Sequence, residues 1–367
     1  MDKSSRIKAF VDVQVKNNVV TVKKCSNLFE KLLINVRNEY KKFREDREPK
    51  INNLEISTGS QLNETEHWKD NKFIEALNRF KENQELPFSI TQEIKAENES
   101  NLFPDVVFPN QHIIKISYFV SNSFSKETFH QIQRHHKIWW MKYGTNPGKY
   151  SISDQKSDSF SKFVTIRSNV GDSVMDVERL KFFSLKDCIT EKDILSQYMC
   201  RVPNKKKETI PDVIETVVDL QVASLALLVD AVNLSDDYTA FHRRSAPFQL
   251  ALVVKEATED LIDLASFIEL LVKETDSKIA ILNESKIKIE SQDDLMNQFQ
   301  KFDNIGIPYS IIIDQTSLES GMFKLRNRNT TLSETIHLSD VNNYLIKIFN
   351  SAWKFNEPSL KNFSIRK

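Results

Sequence analysis

The sequence predicts an α/β protein of two domains, and three observations carry that reading. Along the first 240 residues, helix-spaced apolar residues alternate with short β-branched and aromatic runs. From Ala246 the pattern becomes a succession of strand, helix, strand, helix, strand, the order of a sheet built with right-handed crossovers. The chain has 367 residues, 40% hydrophobic and 28% charged, which is enough for two cores.

Taken in order, Leu28, Leu32, Val36 and Tyr40, with Phe29 and Leu33 beside them, repeat at helical spacing over 28–43. Residues 44–70 are polar, contain Pro49 and read as a loop. Phe73, Ala76, Leu77 and Phe80 mark a short amphipathic helix. Ile113–Val120 reads as a strand, and Phe129–Tyr143 as a helix with an aromatic end. Residues 144–161 are turn-rich and read as a second loop. Phe163–Arg167 and Lys181–Leu185 are expected strands, and Asn204–Lys207 is a basic loop. Val213–Val218 is a strand that runs into a helix over Leu220–Val232. The polar stretch Tyr238–Ser245 closes a first domain, placed at 1–240.

A second domain is expected over 246–354, with a tail at 355–367. Pro247 precedes a nearly continuous apolar strand, Phe248–Val254. A helix over Leu261–Val272, a short strand Lys278–Leu282, a helix over Asp293–Phe302 and a strand Tyr309–Ile313 follow. Gly321 is able to take a positive φ and to shape a hairpin over Met322–Thr335. Alternation there places Phe323 and Leu325 on one face and Met322, Lys324 and Arg326 on the other. Ser339 is placed to cap a last helix that turns Val341, Leu345, Ile348 and Phe349 inward.

Composition narrows the chemistry. There are 6 glycines in 367 residues, where average usage of ~7% would give about 26. Neither GxGxxG nor GxxxxGK[ST] occurs, so the usual backbone cradle for phosphates is missing from the sequence. The three cysteines, Cys25, Cys188 and Cys200, are widely spaced and form no CxxC pair, which argues against a disulfide framework or a zinc site. His135 and His136 are adjacent and point apart on a helix, a poor metal pair. No apolar run approaches the ~20 residues of a membrane span. The opening residues, Met1 to Arg6, show neither an apolar signal core nor an Arg-rich, acid-poor leader, which argues against secretion. No catalytic, cofactor or metal residue is assigned.

Charge is unevenly spread although the total is zero. Residues 246–354 carry 11 Lys/Arg against 16 Asp/Glu, residues 1–245 carry 37 against 34, and the tail 3 against 1. An acidic second domain is a poor long-range attractor of nucleic acid; the alternative reading is that the split only reflects solvated surface.

Two constellations stand out. In Arg134–Lys142, cations interleave with Trp139 and Trp140, a pattern that tracks a nucleic-acid backbone or, alternatively, an amphipathic helix with a solvated basic face. The loop with Lys205, Lys206 and Lys207 is a second basic stretch that reads as a nucleic-acid contact or, alternatively, as a solvated turn. Arg134, Lys137, Lys142 and the three loop lysines are the candidate DNA contacts. The second constellation is Gly321 to Arg328. Gly321, Met322, Phe323, Lys324, Leu325, Arg326 and Arg328 are the candidate protein interface, with core packing of Phe323 and Leu325 as the competing reading.

Strand 309–313 followed by Thr316–Thr331 resembles the end of the anticodon-binding domain of class II aminoacyl-tRNA synthetases. Pro211–Val232, where such a synthetase carries a Gly-rich segment and an ATP-binding Arg, contains neither residue. With Phe129–Asp154, Ala246–Val254 and Thr316–Phe349 taken together, the chain resembles the family of accessory subunits of mitochondrial DNA polymerase gamma. That resemblance implies an α+β, antiparallel-sheet, synthetase-like first domain and an anticodon-binding-like second domain with a mixed sheet. It implies a non-catalytic subunit of the mitochondrial nucleoid that binds the catalytic polymerase subunit, chiefly through the second domain, and raises processivity on primer–template or other double-stranded DNA. No cofactor and no membrane are implied. Longer members dimerise through a helical insertion. The corresponding region, Phe43–Pro87, is short and polar here, so a monomer and a one-to-one complex are expected. The alternative is a synthetase paralogue that binds tRNA.

Overall fold

Eight strands of the N-terminal region pair into one sheet, because their β-branched and aromatic residues alternate between two faces that are both covered. The structure, a computed structural model, describes residues 1–16, 19–47, 51–59, 71–81, 84–97, 106–170, 173–203 and 207–350. The sheet runs in the order Asn52–Gly59, Phe88–Glu97, Asn110–Val120, Asp212–Asp219, Ser173–Ser184, Ser161–Val170 and Tyr150–Ile152, with Lys156–Ser157 also paired to Ser161–Val170. Every pairing is antiparallel except that of the edge strand Asn52–Gly59.

Residues opposite one another in the ladder share a face. Ile214 pairs with Tyr118 and Phe182, and this face packs under the helices Asn27–Arg47, Ser125–Tyr143 and Leu220–Leu234. The last of these is buried on nearly every side, consistent with its all-apolar sequence. Val213 pairs with Phe119 and Phe183 on the opposite face. There the helix Asn71–Lys81 and residues 185–200 close a smaller core with Phe73, Leu77, Leu185 and Tyr198.

The expected loop at 44–70 is corrected in part. The helix continues to Arg47, and Asn52–Gly59 is a strand in parallel register with Phe88–Lys95. An edge strand needs backbone pairing on one side and little apolar content, so its polar sequence concealed it. Residues 60–70 lie outside the described residues. The expected loop at 144–161 also contains pairing: a turn at Pro147–Lys149 leads into Tyr150–Ile152, hydrogen-bonded to the neighbouring strand. Strands Val11–Lys16, Val19–Cys25 and Phe88–Glu97 have no counterpart among the sequence expectations.

The C-terminal region has a sheet of its own, in the order Ile281–Asn283, Leu250–Val254, Tyr309–Ile313, Met322–Asn327 and Ser333–His337. The first three strands are parallel and the last two antiparallel, a mixed sheet. Helices Glu259–Thr275 and Val341–Asn350 cover one face, burying Leu261, Ala265, Ile268, Val341 and Leu345. The helix Gln292–Ile305 covers the other with Leu295, Phe299 and Phe302. Gly321, at φ +68°, ends a short helix, Gln315–Ser320, rather than forming the hairpin turn; Thr331, at φ +58°, sits in that turn. The last helix is entered through a turn capped by His337, whose Nδ1 accepts from the Ser339 N–H, so Ser339 is the capped residue and not the cap.

The two regions meet along a polar seam. Thr239 N–H donates to the Asp303 carbonyl at 2.9 Å, and Asn35 Nδ2 donates to the Ala246 carbonyl at 2.7 Å. Arg244 reaches Glu39 at 3.0 Å and Asp276 at 3.6 Å, joining residues of both regions. The Tyr143 hydroxyl donates to the other Glu39 oxygen at 2.5 Å.

Candidate functional site

The first place to look for chemistry is the strand-to-helix junction at Asp219. Its carboxylate accepts from Gln221 N–H at 2.9 Å and Val222 N–H at 3.1 Å, so the helix caps itself with an acid. Burial pushes the carboxyl up to about 6, against the pull of those two amides. A helix N-terminus is an anion site when its amides are free; here an anionic side chain already fills it. On the sheet face away from the long helices, Lys115 and Glu215 form an ion pair at 3.0 Å with both side chains almost fully buried. That cation is held by a carboxylate.

His135, His136, Trp139 and Trp140 prove to be core. Glu178 takes three groups into one buried knot: the Tyr40 hydroxyl donates at 2.8 Å, Trp140 Nε1 donates at 2.7 Å, and His136 Nδ1 lies 2.6 Å away. Burial and the Glu178 charge push the Tyr40 phenol well above its usual range. Trp139 stacks edge-on against Tyr40 and Trp140. Both tryptophans are buried, as the amphipathic-helix alternative has it for at least one, and both histidines are buried with them.

The candidate DNA residues divide. Arg134 is exposed and Lys137 half-exposed on the outward face of helix Ser125–Tyr143. Lys126 and His130, also exposed, continue that face at i, i+4 spacing. Sequence reasoning missed both, although the helical period was signal enough. Lys142 turns away: its ammonium lies 5.7 Å from the Tyr143 ring centre and contributes to holding His242 down at about 3, after burial. Lys207 is exposed, while Lys205 and Lys206 lie outside the described residues. Lys207 adjoins the hairpin whose Cys200 packs with Phe183, whereas helix Ser125–Tyr143 sets Phe129 against Phe182. Adjacent residues of one strand face opposite ways, so Lys207 and Arg134 sit on opposite layers of the sheet and form no single surface.

The candidate protein interface divides as well. Phe323 and Leu325 are buried in the core beneath helix Glu259–Thr275. Arg326 is buried too, paired through both guanidinium nitrogens with Asp303 at 2.8 and 2.9 Å and lying over the Phe299 ring. Arg328 donates to the carbonyls of Gly306 at 2.7 Å and Phe241 at 3.1 Å, which ties the hairpin to the seam. Burial pushes its guanidinium down to about 10. The expectation that these two arginines present a surface is corrected: they hold the fold together. Gly321, Met322 and Lys324 stay accessible.

Fold and site define a synthetase-like scaffold joined to an anticodon-binding-like domain. Residues 271–348 match the anticodon binding domain family. The glycine–tRNA ligase of Clostridium beijerinckii is 27% identical over 157 residues, 40% of this chain and 31% of that enzyme. DNA polymerase subunit gamma-2, mitochondrial, of Drosophila melanogaster is 30% identical over 270 residues, 68% of this chain and 70% of the relative. DNA polymerase subunit gamma-2 of Mus musculus is 23% identical over 292 residues, 74% of this chain but 61% of that protein's length. The chain belongs to the DNA polymerase subunit gamma-2 family.

Proposed function

We propose that the protein is the accessory subunit of mitochondrial DNA polymerase, a non-catalytic partner that binds the catalytic subunit and raises its hold on primer–template DNA. The observation that carries this reading is membership of the gamma-2 family at 30% identity over most of the chain. The site supports the non-catalytic part: an acid caps the helix at 219, and a buried carboxylate neutralises Lys115. The acidic second domain suits a protein partner better than a polyanion, and the outward face with Lys126, Arg134 and Lys137 suits the DNA backbone. The shortness of the Phe43–Pro87 region supports a monomer alone and a one-to-one complex.

Reconstitution with the catalytic subunit tests the proposal. Longer products per binding event on primed DNA are expected, with no amino-acid-dependent ATP–pyrophosphate exchange by the free chain. Absence of stimulation, together with tight tRNA binding, would favour the tRNA-binding reading that the ligase similarity raises.

A further inference from the structure

The end of helix Ser125–Tyr143, the linker 238–243, the entry to strand Tyr309–Ile313 and the exit of strand Met322–Asn327 converge on a cleft of about 350 Å³. Small-molecule sites occupy ~300–1,000 Å³ and favour the seams between domains. Arg243 and Arg328 line this cleft, and no carboxylate does. Tyr238 and Tyr309 give it aromatic wall, and Asn327 and Asn329 give it side-chain amides.

The two arginines lack counter-ions. Arg328 is 3% exposed, and its guanidinium donates to the carbonyls of Gly306 and Phe241 and to Asn329 Oδ1. None of these acceptors is charged. Asp303, the acid that acts on it from further off, is already bound through both oxygens by Arg326. A buried cation ordinarily has a charged partner; among the described residues Arg328 has none. Arg243 is half-buried and makes no hydrogen bond or ion pair among the described residues. Two uncompensated guanidinium charges at one concave, partly desolvated site give it a positive potential.

Positive charge selects an anion, and the rest of the lining narrows the class. Tyrosine rings stack on a planar base. Asparagine amides both donate and accept, as the edge of a base requires. An aliphatic acid would leave the rings and the amides idle. The lack of a glycine-rich cradle is no obstacle, because guanidinium groups bind phosphate through side chains.

We propose that this cleft binds a free nucleoside monophosphate, with its phosphate on Arg243 in the field of Arg328 and its base against Tyr238, edge toward Asn327 and Asn329. The site goes beyond the accessory-subunit reading and stands without it.

The test is calorimetric titration of the full chain with adenosine, guanosine, cytidine and thymidine monophosphates. At least one is expected to bind and, by mass action, to raise the melting temperature. Inorganic phosphate and the parent nucleoside should each bind at least roughly tenfold more weakly, since each offers half of the chemistry. Arg243→Gln breaks no contact within the protein, so the free chain should melt as wild type does, while nucleotide affinity falls roughly tenfold or more. Tyr238→Leu should weaken the nucleotide roughly tenfold and leave inorganic phosphate unchanged. Lys207→Gln, at an exposed cation outside the cleft, should leave binding unchanged. No binding of any of the four monophosphates at millimolar concentration overturns the proposal. So does wild-type affinity in the folded Arg243→Gln variant, or inorganic phosphate binding as tightly as the nucleotide. A single-stranded oligonucleotide that binds through Arg243 when none of the monophosphates does also overturns it, because a strand is then the occupant.

Discussion

Arg134 and Arg326 come from stretches that look alike in sequence, each with cations interleaved among large apolar residues. Helix Ser125–Tyr143 buries its aromatic side against the sheet and leaves Arg134 outside, with Lys126, His130 and Lys137 on the same face. Strand Met322–Asn327 lies under helix Glu259–Thr275 on one face; on the other, Met322 and Lys324 stay accessible and helix Gln292–Ile305 covers the Arg326 end. Its outward-alternating Arg326 therefore meets Phe299 and Asp303 instead of water. What sets the role of each cation is the element that covers it. The outer side of a helix on a sheet leaves a cation in water, whereas the end of the strand at Arg326 lies under a second helix.

The strongest way to break this comparison is to truncate both residues. Arg326→Ala leaves the Asp303 carboxylate next to an apolar surface, and a loss of about 3–4 kcal/mol in unfolding free energy is expected by chemical denaturation. Arg134→Ala should stay within about 0.5 kcal/mol of wild type. Equal effects at the two positions would show that the inward and outward assignments are wrong. The pair Arg326→Met/Asp303→Leu should recover most of the loss, since it removes both charges.

A buried acid that lacks a cation sharpens the contrast. The Asp219 carboxyl is raised from its ordinary 3.8 to about 6 by burial. The folded state therefore holds this proton more tightly than the unfolded chain. Its stabilising contribution is full below about pH 3.8 and is lost as pH rises through about 6. Against Asp219→Asn, which keeps a cap acceptor, wild type should lose up to about 3 kcal/mol of stability between those limits. Parallel stability–pH curves for the two proteins would contradict the raised carboxyl.

Gly321→Glu is expected to act next most strongly. Gly321 has φ +68°, and a Cβ built there lies 3.0 Å from His337 Nε2. A loss of about 1–2 kcal/mol by thermal melting follows from strain alone. Gly321 belongs to the candidate protein interface and stays accessible, so the complex with the catalytic subunit should weaken as well. A folded variant that stimulates the polymerase normally would remove the hairpin from the contact.

Much of the architecture was legible in the residues, and the losses have physical causes. Helices 27–47, 125–143 and 259–275 announce themselves because each buries one stripe and solvates the other. The edge strand Asn52–Gly59 was hidden, since pairing on one side leaves no apolar alternation to read. The Arg–x–Arg of the hairpin suggested a surface because the facing helix, which supplies Asp303, lies more than 20 residues away in sequence. Asp219 as an acid cap was not among the expectations, and its burial depends on how the central helix packs. Phe267 and Leu270 lie within the helix expected over Leu261–Val272; their exposure appears once Ile268 and Leu261 fix which side is inward.

The smallest effect expected concerns the outward cations. Neutralising a phosphate releases counterions, so log affinity for DNA changes with log salt by roughly −0.9 per phosphate contacted. If Arg134 and Lys137 each engage one phosphate, Arg134→Glu/Lys137→Glu should flatten the salt slope of the polymerase complex by about 2. Adding Lys126→Glu, on the same face, should flatten it further, whereas Lys207→Glu, across the sheet, should not act through this surface. The complex is the proper sample, because the total charge of the free chain is zero and gives little long-range pull toward DNA. Subunit association is expected to survive, since these residues lie in the first region and the resemblance implies binding chiefly through the second. An unchanged salt slope with unchanged processivity would make the basic stripe a solvated helix face. Arg134 would then differ from Arg326 in burial alone, and the DNA contact would have to be sought on another layer of the molecule.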